Sequence, residues 1–278
     1  MRARPFKQVD VFTARPFFGN PVAVVLDGEG LSTAEMQQFA QWTNLSETTF
    51  VLPPEDPQAS YQVRIFTPRA ELPFAGHPTL GTAHAVLEAG IATPVAGRLI
   101  QQSAVGLVEV TLAEGSRAFR LPRYAASPAP DAAGLARALG AAPVAPPQIL
   151  DVGPQWVILE LASAGAVRTL TPDLSALADY DRRHATTGLT LFAREGEGLV
   201  VRSFAPADGI AEDPVCGSGN GAVAAYRLLA GQIKAGDSYT ASQGREVGRD
   251  GQVEIRIEGS DIHVGGACVT CLTGEVLL

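Results

Sequence analysis

Three stretches combine residue types and spacings suited to chemistry. Glu47 lies in the largely uncharged run Asn44-Leu45-Ser46-Glu47-Thr48-Thr49-Phe50. Burial there would raise its pKa toward the range useful for proton transfer, whereas the commoner state of a glutamate is an exposed loop position. His77 sits in Ala75-Gly76-His77-Pro78-Thr79, a turn entering a helix, where a histidine serves as acid, base or orienting donor, or bonds its own backbone. The third stretch is Glu212-Asp213-Pro214-Val215-Cys216-Gly217-Ser218-Gly219-Asn220-Gly221. Its glycine-rich turn leaves backbone N–H groups uncovered, and the following helix adds the positive end of its dipole, so a carboxylate or phosphate can be held without any lysine. An ordinary tight loop is the plain alternative. Asp213 either pairs with His77 or Glu47 across a cleft or caps the helix. Ser218 can donate to a carboxylate, but the glycines miss the spacing of a nucleophile elbow. Cys216 is either a small buried filler or a thiol facing a cleft.

The elements that must position these residues occur twice. Val63-Arg64-Ile65-Phe66-Thr67-Pro68 returns as Val201-Arg202-Ser203-Phe204-Ala205-Pro206. Each copy leads through a short acidic and apolar spacer to a glycine turn and a small-residue helix. The offset is 138 residues at the strand and 141 at the turn, too long for a solenoid repeat and suited to a duplicated domain. The expected halves are 1–124 and 125–278, with the last strand free to return to the first half. Two helix N-termini, one from each half, would then face one cleft.

Along the chain, Val9–Thr13 and Val22–Leu26 read as strands, and Ser32-Thr33-Ala34-Glu35 as a capping box opening a helix that ends near Asn44. Strands are expected over 48–52, 61–67, 99–102, 107–112, 155–161, 189–193 and 199–204. Helices are expected over 79–88, closed by Gly90, over 131–139, and from Thr171-Pro172 to about Arg182. Residues 123–130 are the linker candidate, and 238–278 read as strands broken by glycines. The small-residue helix at Gly221–Ala225 has Gly, Ala and Val on nearly every side, which places it inside a wrapping sheet.

Composition removes several classes. A net charge of -8 and a pI near 5.0 over 278 residues argue against nucleic acid or an anionic membrane as partner. The N-terminus lacks the apolar core of a signal peptide and no segment is long enough to span a bilayer, so a cytoplasmic protein is expected. The lysines, Lys7 and Lys234, give a pyridoxal Schiff base no plausible anchor. The glycine turn at 217–221 lacks the dinucleotide pattern. His84 with Glu88, and Cys268 with Cys271, lack further ligands at metal spacing. No metal and no cofactor is expected, which leaves cofactor-free proton transfer at carbon.

Taken together, Gly19-Asn20-Pro21, Asn44-Leu45-Ser46-Glu47-Thr48, Phe66-Thr67-Pro68, Ala75-Gly76-His77-Pro78-Thr79 and Glu212-Asp213-Pro214 through Gly217-Ser218 resemble the phenazine-biosynthesis PhzF family of isomerases, in order and over nearly the whole chain. The resemblance implies an α+β fold of the diaminopimelate-epimerase-like type. Its two pseudo-symmetric domains would each be a curved or barrel-like mixed β-sheet around a central apolar helix, with the active site between them and usually a homodimer. It implies Glu47 as the proton-shuttling acid/base, with His77, Asp213 and Ser218 in supporting roles. Substrate binding would fall to Asn20, Ser46, Cys216 and the backbone near Gly76, Gly217 and Gly219. Epimerases of this fold use one cysteine from each glycine turn as a pair of bases. The corresponding positions here are Ala75 and Cys216, which argues against two-thiol epimerisation. The resulting expectation is a cofactor-independent isomerase acting on a small carboxylate-bearing substrate, amino-acid-like or dihydroaromatic. The alternatives are a racemase or epimerase using Cys216 with Glu47 or His77 as second base, and a binding protein on the same scaffold.

Overall fold

Helices built from glycine, alanine and threonine have little apolar surface of their own and are stable when other elements approach on every side. The computed structural model describes all 278 residues and shows two such helices, each met by strands. The first half of the chain runs β1 (Ala3–Val11), β2 (Asn20–Val25), α1 (Thr33–Thr43), β3 (Glu47–Leu52), β4 (Tyr61–Phe66), β5 (Glu71–Leu72), α2 (Gly76–Glu88), β6 (Arg98–Ser103), β7 (Gly106–Ala113), β8 (Ser116–Arg120) and β9 (Ala125–Pro128). The second half continues α3 (Ala132–Leu139), β10 (Gln148–Asp151), β11 (Gln155–Glu160), α4 (Ala164–Thr169), α5 (Leu174–His184), β12 (Gly188–Glu195), β13 (Gly198–Ala205), β14 (Ile210–Asp213), α6 (Gly217–Leu229), β15 (Ser238–Gln243), β16 (Gly251–Glu258), β17 (Asp261–Gly266) and β18 (Cys268–Leu277).

The pairing pattern is duplicated. In the first half β1 runs antiparallel to β2, β2 parallel to β3, β3 antiparallel to β4, β4 parallel to β6 and β6 antiparallel to β7. In the second, β10, β11, β12, β13, β15 and β16 follow the same sequence of relations. Parallel neighbours need crossovers. Those are α1 and α2 in the first half, and the α4–α5 segment and α6 in the second. The terminal strands are exchanged: β18 pairs with β1, and β9 pairs with β10. The chain accordingly forms two compact units, Met1–Arg120 with Gly265–Leu278, and Leu121–Val264.

Within the first unit α2 packs on β1, β2, β3, β6, β7, β8 and β18, and every residue from Gly76 to Val86 is buried. The helix lies so close to β1 and β2 that a Cβ on Gly81 would collide with Val22 and stand 3.0 Å from Val11 Cγ2. Within the second unit α6 packs on β10, β11, β12 and β16. The outer helices cover the sheets with conventional apolar cores. Met36, Phe39, Phe50 and Phe66 pack under α1, and Leu135, Val167, Leu177 and Leu191 pack where α3, α4 and α5 meet β12.

The duplication extends to side chains. On β4, Arg64 holds Glu71 of β5 through Nε and Nη2 at 2.7 and 2.6 Å. On β13, Arg202 holds Glu212 of β14 in the same fork at 2.9 and 2.7 Å. Both guanidinium groups also lie over the phenylalanine two residues on, Phe66 and Phe204. Each fork ties down the short strand that feeds the glycine turn.

Two local expectations change, and one short helix is new. The expected linker at 123–130 contains β9, whose side chains are all exposed while its backbone pairs with β10; an exposed strand shows no alternation of apolar residues to read. The cap of α5 is Asp173, whose carboxylate accepts the Ala176 N–H at 3.0 Å, so Thr171-Pro172 precede the helix. The six-residue α4 is too short to produce a periodic signal. No helix is long and apolar enough to cross a membrane.

Candidate active site

The first unit brings its candidate residues together at the junction of α1 and β3. Helix α1 is closed by Asn44 in the left-handed region, at φ 54°. Asn44 adopts this conformation more readily than most residues. The chain reverses there, the hydroxyls of Thr43 and Thr48 meet at 3.0 Å, and Glu47 emerges as the first residue of β3, in parallel register with Val22. The expected connector is therefore one residue shorter, since Glu47 belongs to the strand. Ser46 Oγ reaches Asn20 Oδ1 at 3.4 Å, at the start of β2.

His77 comes from the second position of α2, a helix that begins three residues earlier than its periodicity suggests. Its N-cap, Ala75, supplies no side-chain bond. Gly76 is required by packing, since a Cβ there would stand 2.6 Å from Phe119 Cζ. The result is that His77 Nε2 stands 3.4 Å from Glu47 Oε2, with the two side chains 8% and 16% exposed. Burial raises the Glu47 pKa to about 7, against the opposing pull of a hydrogen bond from Ser46. Near neutral pH this carboxyl is thus divided between its acid and base forms, the condition general acid–base catalysis favours.

That shift has a consequence for stability. Between the ordinary value of 4.5 and about 7 the native state binds a proton that the unfolded chain has released. Stability from this group is therefore fully present below pH 4.5 and lost as pH rises through 7, an effect on the order of 3 kcal/mol. Glu47→Gln cannot ionise, so it should gain stability relative to the wild type between pH 5 and pH 8. Urea midpoints at the two pH values measure this, and parallel curves for the two proteins would contradict it.

The second unit presents the turn before α6. Cys216 is the N-cap, its sulfur accepting the Gly219 N–H at 3.2 Å. Burial pushes the Cys216 thiol well above its ordinary range, and the Asp213 charge pushes in the same direction. Asp213 Oδ1 accepts the Val215 N–H at 3.0 Å, which shapes the acidic corner. Ser218 Oγ accepts the Trp156 indole N–H at 3.0 Å and lies 3.5 Å from Cys216 Sγ. The brace beneath is Gln243, wholly buried at the end of β15. Its Oε1 accepts from Cys216 N and Asn220 Nδ2 at 3.1 and 2.8 Å, and its Nε2 donates to the Asp213 carbonyl at 3.0 Å. Gln101 has a comparable place in the first unit, bonded to Thr79 and Tyr61.

Gly219 leaves no room for a side chain. A Cβ would stand 2.7 Å from Ser203 Oγ, 2.8 Å from Thr190 Oγ1 and 3.2 Å from Cys216 Sγ. Gly219→Ala should therefore destabilise the protein by about 1–3 kcal/mol. Gly221→Ala, whose nearest neighbours would be Leu121 and Val264 methyls at 3.1 and 3.3 Å, should cost less. Equal urea midpoints for the two variants would refute the ranking.

The structure thus joins Asn20, Ser46, Glu47, Gly76 and His77 within the first unit, and Asp213, Cys216, Gly217, Ser218 and Gly219 within the second. The sequence reading missed Gln243 and Trp156 as parts of the turn, because a buried glutamine in a polar-looking strand carries no local signal. His84 and Glu88, considered as metal ligands, instead meet at 3.2 Å beside Thr270 and Lys7 and tie α2 to β18 and β1. Cys268 and Cys271 are free thiols on β18. A shallow cavity of about 320 Å³ in the second unit, lined by Asp131, Arg137, Asp173, Tyr180 and Arg183 among others, includes none of the candidate residues.

This architecture is that of the solved Bacillus anthracis phenazine biosynthesis protein of the PhzF family. The superposition has a TM-score of 0.87 and covers 100% of both chains at 24% identity. The chain belongs to the phenazine biosynthesis-like protein family, whose sequence profile matches residues 9–274. Its relatives include the trans-2,3-dihydro-3-hydroxyanthranilate isomerase of Pseudomonas chlororaphis, 36% identical over 282 residues that span 97% of this chain and 98% of the other. Another is antisense-enhancing sequence 1 of Schizosaccharomyces pombe, 40% identical over 294 residues and covering 99% of each chain.

Proposed function

We propose that this chain is a cofactor-independent isomerase that moves a proton on a small carboxylate-bearing substrate, with Glu47 as the proton carrier. The observation that carries this reading is the buried Glu47 carboxyl facing His77 Nε2 at 3.4 Å. A desolvated carboxyl with a pKa of about 7 takes a proton from an activated carbon as a base and, after exchange with solvent, returns one to another atom as an acid. His77 orients the carboxyl. The N–H groups opening α6 and the Ser218 hydroxyl are assigned to the substrate's carboxylate, as helix N-termini suit anions. Asp213 shapes the turn that presents them.

Cys216 is assigned to capping α6. Its thiol is engaged by Gly219 N–H and held protonated by burial, which disfavours a thiol base and hence a cysteine-assisted racemase. The substrate named for the Pseudomonas chlororaphis relative, a dihydroaromatic amino acid, has the carboxylate and the mobile proton the reading needs. It is therefore the first compound to test, with isomerisation followed in D2O. Deuterium appearing in product from the wild type and not from Glu47→Gln supports the assignment, and equal incorporation by both overturns it.

A further inference from the structure

The duplicated pairing puts residues of the two halves into one-to-one correspondence. In the parallel pair β2–β3, Val22 stands opposite Glu47; in β11–β12, Trp156 stands opposite Gly188. The helices that follow start at Gly76 and Gly217, so His77 corresponds to Ser218. The pair Glu47 and His77 in the first half thus corresponds to Gly188 and Ser218 in the second, and Val22 corresponds to Trp156.

The second half has a glycine in place of the acid. A Cβ on Gly188 would collide with the Phe204 carbonyl and stand 2.9 Å from Trp156 Cζ3, so the β13 backbone and the indole together leave no room for a side chain at 188. Trp156 is buried, 3% exposed. Its Nε1–H donates to Ser218 Oγ at 3.0 Å, just as the first-half acid reaches the residue that corresponds to Ser218. An indole N–H only donates. It therefore fills one of the two acceptor sites of the serine oxygen, and the hydroxyl proton, with the weak acceptor Cys216 Sγ 3.5 Å away, remains for a carboxylate.

We infer that Trp156 is a positioning residue that fixes Ser218 as a hydrogen-bond donor to the substrate's carboxylate, and that it replaces in the second half the proton carrier that Glu47 provides in the first. The first half then supplies the single carboxylic acid that moves the proton, and the second half a tryptophan-held serine for the anion. This inference rests on the assignments of Glu47 and Ser218 under the proposed function.

The test uses the full chain in a Glu47→Gln background, so that binding is read without turnover. The probe is trans-2,3-dihydro-3-hydroxyanthranilate, titrated calorimetrically. Trp156→Phe keeps an aromatic ring while removing the N–H together with part of the indole, and it should weaken binding about tenfold, the scale of one hydrogen bond to a charged group. Ser218→Ala should weaken it by a similar factor, and the double variant Trp156→Phe/Ser218→Ala should bind within about twofold of Ser218→Ala alone, because one residue acts through the other. A purely structural role for Trp156 predicts multiplying losses. Independently, ¹⁵N-indole spectra of the full chain contain two tryptophan signals, Trp42 and Trp156, and Ser218→Ala should move one of them. Multiplying losses, unchanged affinity for Trp156→Phe, no binding of the probe at millimolar concentration, or unmoved indole signals would each overturn the inference. Failure of the Glu47 assignment shows separately, as retained turnover in Glu47→Gln.

Discussion

Glu47→Gln is expected to lower kcat by a factor of about 10² to 10⁴, the range one general acid–base group supplies. Glutamine preserves the shape and the start of β3, and it adds no charge next to His77 Nε2, 3.4 Å away in the wild type. What it loses is the ability to accept a proton and give it back. Because uniform binding contacts remain, KM should change far less than kcat. The wild-type rate should depend on an ionisation near 7, the value burial gives this carboxyl, and that dependence should vanish in the variant. Glu47→Asp keeps the chemistry and withdraws the carboxyl from His77 by one methylene, so it should fall between the two. Turnover of Glu47→Gln within threefold of wild type would remove Glu47 from the mechanism, and with it the one-carrier scheme.

Some of this was legible in the sequence because it is local. The capping box of α1 and the glycine closing α2 follow from short-range rules, and both are present. The duplicated Val-Arg-x-Phe run was legible because one contact is written twice, once as Arg64 with Glu71 and once as Arg202 with Glu212. Glu47 was visible as an acid among uncharged neighbours, but its approach to His77 joins residues 30 apart through a strand register, which no periodicity encodes. Gln243 and Trp156 were invisible for the same reason. Each acts on the α6 turn from another strand, and neither residue type in its own segment distinguishes a brace from a surface side chain. β9 was missed because its stabilisation is all in backbone pairing.

The second large effect concerns the paired forks. Arg202 and Glu212 are 7% and 10% exposed, against 25% and 35% for Arg64 and Glu71. Arg202 further donates Nη1 to the carbonyls of Val167 and Leu170, at 2.9 and 2.7 Å, which terminates α4. Arg64 instead gives its remaining bond to the Thr33 hydroxyl at the edge of α1. Removing one member of a buried pair strands the other charge away from water and costs about 3–5 kcal/mol, while an exposed pair is worth at most about 1 kcal/mol. Arg202→Met should therefore destabilise the protein several kcal/mol more than Arg64→Met in urea unfolding at pH 7. Arg202→Met/Glu212→Leu should recover much of the loss, since no lone charge remains. Glu212 immediately precedes Asp213, whose side chain and carbonyl shape the turn into α6. The single variant should for that reason also raise KM, while a variant at Arg64 should leave the second-unit turn untouched. Equal losses of stability from the two arginines would mean that burial of the fork is not what distinguishes the two halves.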